Sequence, residues 1–280
     1  MLKKEREKMT GITKIQKMYD YGANIEYKRL QKSPIHEAEF ILTKDLIEEF
    51  VKPDSLVVDI GSGPGIYSEF LIEELNCNIG AVDLSIKELE IFKKRIKNKY
   101  LGKIEFVKQD SATNLNWIND NYCESILLMG PMYHLVSKDE RIKVLKNCKR
   151  ILKKNGIVII SYISAYGKLI NTLKEGEPGI NGCLSILKSG EYWLKRDGFE
   201  MQQFRCFPSQ AIKEIEEESL EILKVKNLEG VGSFITDSEI DKLQNNKKLK
   251  DDWIDFLRKT SEIKDLLGST RHFSIVAKKI

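Results

Sequence analysis

Residues Val57 to Ser68 read VVDIGSGPGIYS. An apolar run closes on an acid, Asp59, and glycine then falls at every second position, at Gly61, Gly63 and Gly65. Glycine at a strand-to-helix turn accepts positive φ and, lacking a Cβ, lets a ligand lie against bare backbone. The spacing departs from the G-x-G-x-x-G of dinucleotide binders, because the third glycine comes one residue early and follows Pro64. A plain tight turn would use the same residues, so the stretches downstream have to decide.

Asn78 to Leu84 (NIGAVDL) is a second apolar run that ends at Asp83, about 20 positions after the glycines. A carboxylate at that place is where a ribose diol is held. Ser85 and Glu88 stand three apart, as in a capping box, before a helix with Ile86, Leu89, Phe92 and Ile96 on one face. A third run, Lys103 to Gln109, ends in Asp110-Ser111. A fourth, Ser125 to Met129, ends in Gly130-Pro131. Ser137 and Glu140 predict another capping box before a helix, and Gly156 to Ile163 is the fifth strand. Strands alternating with helices at this spacing call for an α/β, doubly wound, mostly parallel sheet covered on both faces. Such sheets hold their ligand at the carboxyl ends of the strands, where every feature named so far falls.

The ordered set resembles the class I S-adenosylmethionine-dependent methyltransferases, in a form common among small-molecule enzymes. DIGSGPG is similar to their glycine-rich motif, AVDLS to the acidic second, QDSATNL to the third and ILLMGPMYHL to the fourth. YDYGANIEYKRL near the start and RHFSIVAKK at the end look like that family's entry helix and last strand. The resemblance implies a seven-stranded Rossmann-like sheet with helical lid elements and S-adenosylmethionine as cofactor. It implies that Asp59 approaches the methionyl amine, although an acid there also serves as a helix N-cap. Gly61, Ser62, Gly63 and Gly65 would admit the methionyl part and ribose. Asp83 would accept both ribose hydroxyls, Leu84 would lie along the adenine, and Asp110 with Ser111 would meet the adenine amino group. Met129 and Gly130 would border the sulfonium. Tyr19, Tyr21 and Arg29 would close over the cofactor, Arg29 pairing with its carboxylate, unless they only build an amphipathic helix.

His134 is the one histidine near a strand end and is a candidate general base, with a packing or lid role as the alternative. Tyr133 is a candidate to meet the acceptor. Gly130-Pro131-Met132-Tyr133 lacks both the acceptor side chain of enzymes that methylate exocyclic base amines and the Pro-Cys of cytosine-C5 enzymes. No carboxylates are spaced for Mg²⁺, so no metal is expected.

The chain of 280 residues is 41% apolar, enough for one full α/β domain with additions. Residues 1–50 read as a helical entry or lid segment and 51–280 as the methyltransferase domain, with lid insertions at about 166–198 and 230–268. Phe199 to Cys206 alternates like a half-wet strand, and Glu221 to Asn227 and His272 to Lys278 read as two more. The five scattered cysteines include no C-x-x-C and suggest reduced thiols in a cytoplasmic protein. The N-terminal residues carry no apolar stretch of the secretory type, and no run is long enough to span a bilayer.

Net charge is +4, with lysine and acid interleaved as on solvated helices. The reading that follows is a methyltransferase acting on oxygen or nitrogen of a small molecule, monomeric or homodimeric, without membrane or nucleic acid. Two alternatives stay open: a tRNA or rRNA methyltransferase using the Lys242 to Lys250 stretch, and a non-catalytic S-adenosylmethionine-binding protein.

Overall fold

The computed structural model describes residues 11–280 apart from 31, 98, 171–175 and 197. Residues 1–10 of the entry segment, and 171–175 and 197 of the first lid stretch, therefore lie outside the described residues. Seven strands form one sheet: β1 (Leu56–Ile60), β2 (Asn78–Asp83), β3 (Ile104–Gln109), β4 (Cys123–Leu128), β5 (Leu152–Ile163), β8 (Leu220–Asn227) and β9 (His272–Lys279). Their spatial order is β3-β2-β1-β4-β5-β9-β8. The first five run parallel, and β9 enters antiparallel between β5 and β8. The order reverses beside β1, so the ends of β1 and β4 open a crevice at the place where such sheets bind ligands.

Alternation along each strand feeds two separate cores. Val58, Ile126, Val158 and Ile275 point to one face, under α5 (Lys138–Ile151) and α8 (Pro208–Glu217). Their neighbours Val57, Leu127, Ile159 and Val276 point to the other. There they meet Leu42 and Leu46 of α2 (Pro34–Phe50), Leu71 of α3 (Ile66–Leu75) and Phe92 of α4 (Ile86–Phe92). Burial on both faces explains why the central strands read as unbroken apolar runs.

The run from Phe199 is a strand, but it lies outside this sheet. β7 (Phe199–Phe204) pairs antiparallel with β6 (Glu191–Arg196) as a two-stranded hairpin. Its Met201 packs with Ile15 and Met18 of α1 (Gly11–Arg29), so the apolar face that alternation revealed is buried against the entry helix.

The stretch 230–268 is placed differently from the lid expectation. Its helices α9 (Asp237–Asn245) and α10 (Lys247–Thr260) pack on α2, with Ile254 and Leu257 in the second core. Lys250 pairs with Glu37 and Arg258 with Asp45, which fastens α10 to α2. An amphipathic helix settles where its apolar stripe finds a partner, and here the partner is α2. Among the described residues no helix is long and apolar enough to cross a membrane.

Candidate active site

The turn after β1 explains two of its glycines by close approach to other atoms. Gly61 sits at φ 76°, its N–H donates to the Val82 carbonyl at 2.7 Å, and a Cβ there would meet Pro131 at 2.7 Å. Gly65, at φ 85°, faces away from the cavity, where a side chain would collide with Phe92 and Ile96. It lets α3 start close against α4 and is not a lining residue. Gly63 donates to Asp83 Oδ2 at 2.8 Å, and Ser62 Oγ is buried without a hydrogen-bond partner in the described structure.

Three acids stand at three strand ends. Asp59 is 2% exposed and accepts from Ser68 Oγ at 2.7 Å. Burial pushes its carboxyl up to about 7; the Ser68 bond works against that rise, and the nearby Asp83 adds to it. Asp83 accepts from the Gly63 and Ser85 N–H groups, one on each oxygen at 2.8 Å, which fixes its orientation. Burial raises its carboxyl to about 6, although these backbone bonds oppose the shift. Asp110 is the hub of the loop after β3, accepting from Ser111 N, Asn114 Nδ2 and Trp117 Nε1. Ser85 caps α4 as expected, its Oγ accepting from Glu88 N at 3.1 Å.

More of the wall comes from the entry helix and from the 3₁₀ turn Pro131–His134, whose Pro131 lies against Gly61. Tyr19 Oη lies 2.7 Å from His134 Nε2, with the rings at 88°. Tyr133 packs beside His134, centroids 4.7 Å apart. Arg29 makes two bonds to Glu39, at 2.7 and 2.9 Å. Burial opposes the charge of Glu39, yet Arg29 and His272 beside it hold the carboxyl at about 2. His272 Nδ1 lies 2.5 Å from Glu229 Oε1 and 3.9 Å from Glu39. Burial works against its proton as well, but Glu229 and Glu39 outweigh that and raise its pKa. Glu39, Glu229 and His272 could each offer one metal-ligand atom within 4.8 Å of the others. Arg29, Thr270 and the His272 N–H already bond those carboxylates, so the cluster reads as a buried ion-pair network.

These groups enclose a cavity of about 490 Å³. Asp59, Gly61, Ser62, Gly63, Asp83, Leu84, Asp110, Ser111, Met129, Gly130, Tyr133, His134, Tyr19 and Arg29 line it, so the structure gathers fourteen of the sixteen residues singled out in the sequence. Gly65 and Tyr21 do not line it; Tyr21 is 70% exposed, its ring near Phe199. Sequence reasoning missed Glu39, Tyr67, Glu88, Glu140, Trp193 and Met201. Tyr67 and Glu88 fall in the first turns of helices that follow strand ends, a signal that was available. Glu39 and Trp193 carried none, because their placement depends on how α2 and the hairpin dock.

The residues fit S-adenosylmethionine. Bare backbone at Gly61 and Gly63, the orphaned Ser62 hydroxyl and the oriented Asp83 carboxylate are what an amino-acid and ribose ligand needs. Residues 57–156 match the family model described as a methyltransferase domain. The chain is 27% identical over 137 residues to a ribosomal protein L11 methyltransferase of Dictyoglomus turgidum. That match takes in 48% of this chain and 42% of the relative, so the chain spans less than half the length of the curated relative it matches. A S-adenosylmethionine-dependent methyltransferase from Methanosarcina mazei superposes with TM-score 0.58 at 16% identity, over 84% of this chain and 97% of that one. The [4+2]-cyclase SpnF superposes with TM-score 0.59 at 15% identity, over 96% of each chain. Strand-end motifs and sheet order agree with the match over residues 57–156: this part of the chain is a methyltransferase domain on a Rossmann-like sheet, and the residues lining its cavity fit S-adenosylmethionine.

Proposed function

We propose that the protein methylates an oxygen or nitrogen of a small molecule in the cytoplasm. The observation that carries this reading is the enclosure of the strand-end crevice by α1 and the β6–β7 hairpin. Trp193, Met201 and Tyr19 line the same cavity as the glycine turn, and a cavity of about 490 Å³ is of small-molecule size. In this reading Asp83 holds the ribose, Ser62 and Asp59 the methionyl part, and Asp110 with Ser111 the adenine. When bound, the cofactor supplies a methyl group already activated on a sulfonium. The protein's part is then to orient the acceptor and exclude water, and alignment alone lowers a barrier by roughly 7 to 11 kcal/mol.

The L11 methyltransferase likeness favours a second reading, a ribosomal or RNA acceptor. Against it, the lysine-rich stretch Lys242 to Lys250 sits on α9 and α10, and none of its residues lines the cavity. Methyl-tritiated cofactor offered to a cell extract separates the two. Label in the small-metabolite fraction supports the proposal; label confined to ribosomal protein or RNA overturns it.

A further inference from the structure

We propose that the acceptor is a small cationic amine, methylated on nitrogen, and that Glu140 recognises it; the proposal rests on the methyltransferase reading above. Ser137 and Glu140 have capping-box spacing, yet the Ser137 side chain makes no cap bond. Glu140 instead lines the cavity beside Leu135 and Val136. It makes no hydrogen bond or ion pair with any described residue, and a carboxylate left over on a cavity wall is a recognition group for a cation.

The rest of the lining has the same sign. Among the described residues the lysine and arginine that line the cavity, besides His134, are Lys14 and Arg29, and both Arg29 nitrogens Nη1 and Nη2 are already bound by Glu39. Glu88, Glu140 and Glu200 stand with Asp83 and Asp110 against the remaining Lys14. Tyr19, Tyr133 and Trp193 add aromatic faces, which attract ammonium ions. A wall with this excess of carboxylates repels an anionic acceptor and opposes formation of an alkoxide or phenolate.

The reaction itself divides acceptors by charge. An amine sheds one proton to solvent, its lone pair forms the new N–C bond, the C–S bond breaks, and the electron pair stays on sulfur as a neutral thioether. Positive charge thus moves from sulfur to nitrogen and stays within the field of the carboxylates throughout. Transfer to an oxyanion would annihilate charge, and the same field would raise the energy of the reactant anion.

The test uses the full chain saturated with S-adenosylhomocysteine. Aromatic and aliphatic amines are compared with their matched alcohols and carboxylates by thermal shift and isothermal titration. Amines should bind, and the alcohols and carboxylates should bind at least tenfold more weakly. Glu140→Gln should weaken the amines tenfold or more while S-adenosylhomocysteine affinity stays constant, and Glu140→Asp should recover part of the loss. In turnover with S-adenosylmethionine, only the amines should yield S-adenosylhomocysteine. Alcohols or carboxylates binding as well as amines, no amine binding at all, or Glu140→Gln binding amines unchanged would each overturn the proposal. A wild-type chain that binds neither cofactor form would instead overturn the methyltransferase reading on which it stands.

Discussion

Asp59 and Asp83 show how one burial does two jobs. Both carboxyls are raised, to about 7 and about 6, because the crevice takes them out of water before any ligand arrives. For Asp59 the folded state keeps its proton between about 4 and 7, where the unfolded chain has lost it. Stability of the cofactor-free protein therefore falls as pH rises through that window. Asp59→Asn removes the effect, so its unfolding free energy in urea melts should exceed that of wild type at pH 8 by on the order of 4 kcal/mol, with no gain at pH 4. A variant less stable at pH 8 would mean that the bond from Ser68 outweighs the burial. Asp83→Ala should weaken S-adenosylmethionine by roughly 1.5 to 3 kcal/mol in titration calorimetry. Unchanged affinity would place the ribose elsewhere.

At the scale of elements, the site depends on α1 being held against the 3₁₀ turn. Tyr19 and His134 join the two, and the Nε2 that a general base would use is the atom that Tyr19 contacts. Tyr19→Phe and His134→Ala are accordingly expected to raise KM for cofactor and acceptor, with kcat falling less than tenfold. A thousandfold loss of kcat in His134→Ala, with KM and folding intact, would make it the base instead. The next segment is fixed from behind. Buried Arg141 donates to the Leu135 and Val136 carbonyls and forks onto Glu214 of α8. Its guanidinium also lies 3.5 Å from the centre of the Phe204 ring. One side chain thus ties the cavity wall to α5, α8 and the hairpin.

For the whole molecule, the cluster of Arg29, Glu39, Glu229 and His272 joins α1, α2, the segment after β8 and the start of β9. Two buried carboxylates there depend on two cations. His272→Ala should destabilise the fold by about 3 to 5 kcal/mol, because it leaves Glu229 and part of the charge of Glu39 uncompensated. His272 has a raised pKa, so its contribution is complete below pH 6.5 and is lost as pH rises through the folded value. Urea melts of wild type and variant should differ most at pH 6 and converge at higher pH. An equal gap at pH 6 and 9 would show that the ring acts through packing and not through its charge.

Much of the fold was legible because it is local. Val57 to Gly65 and Asn78 to Asp83 carry their own strand and turn chemistry, and a parallel sheet brings all such ends to one edge whatever packs on its faces. That is why Asp59, Asp83 and Asp110 could be placed together from the sequence. Docking is not local. Alternation marked Phe199 to Phe204 as a strand, but only tertiary contact with Ile15 and Met18 made it a cavity wall apart from the main sheet. The α9–α10 pair read as lid, yet its apolar stripe found α2. Glu140 followed a capping signal and turned into the cavity instead. The sequence by itself determined which residues sit at the strand ends and which cofactor they suit. Tertiary structure alone decided which helix faces cover them, because a stripe of apolar or charged residues specifies that it needs a partner and not which one.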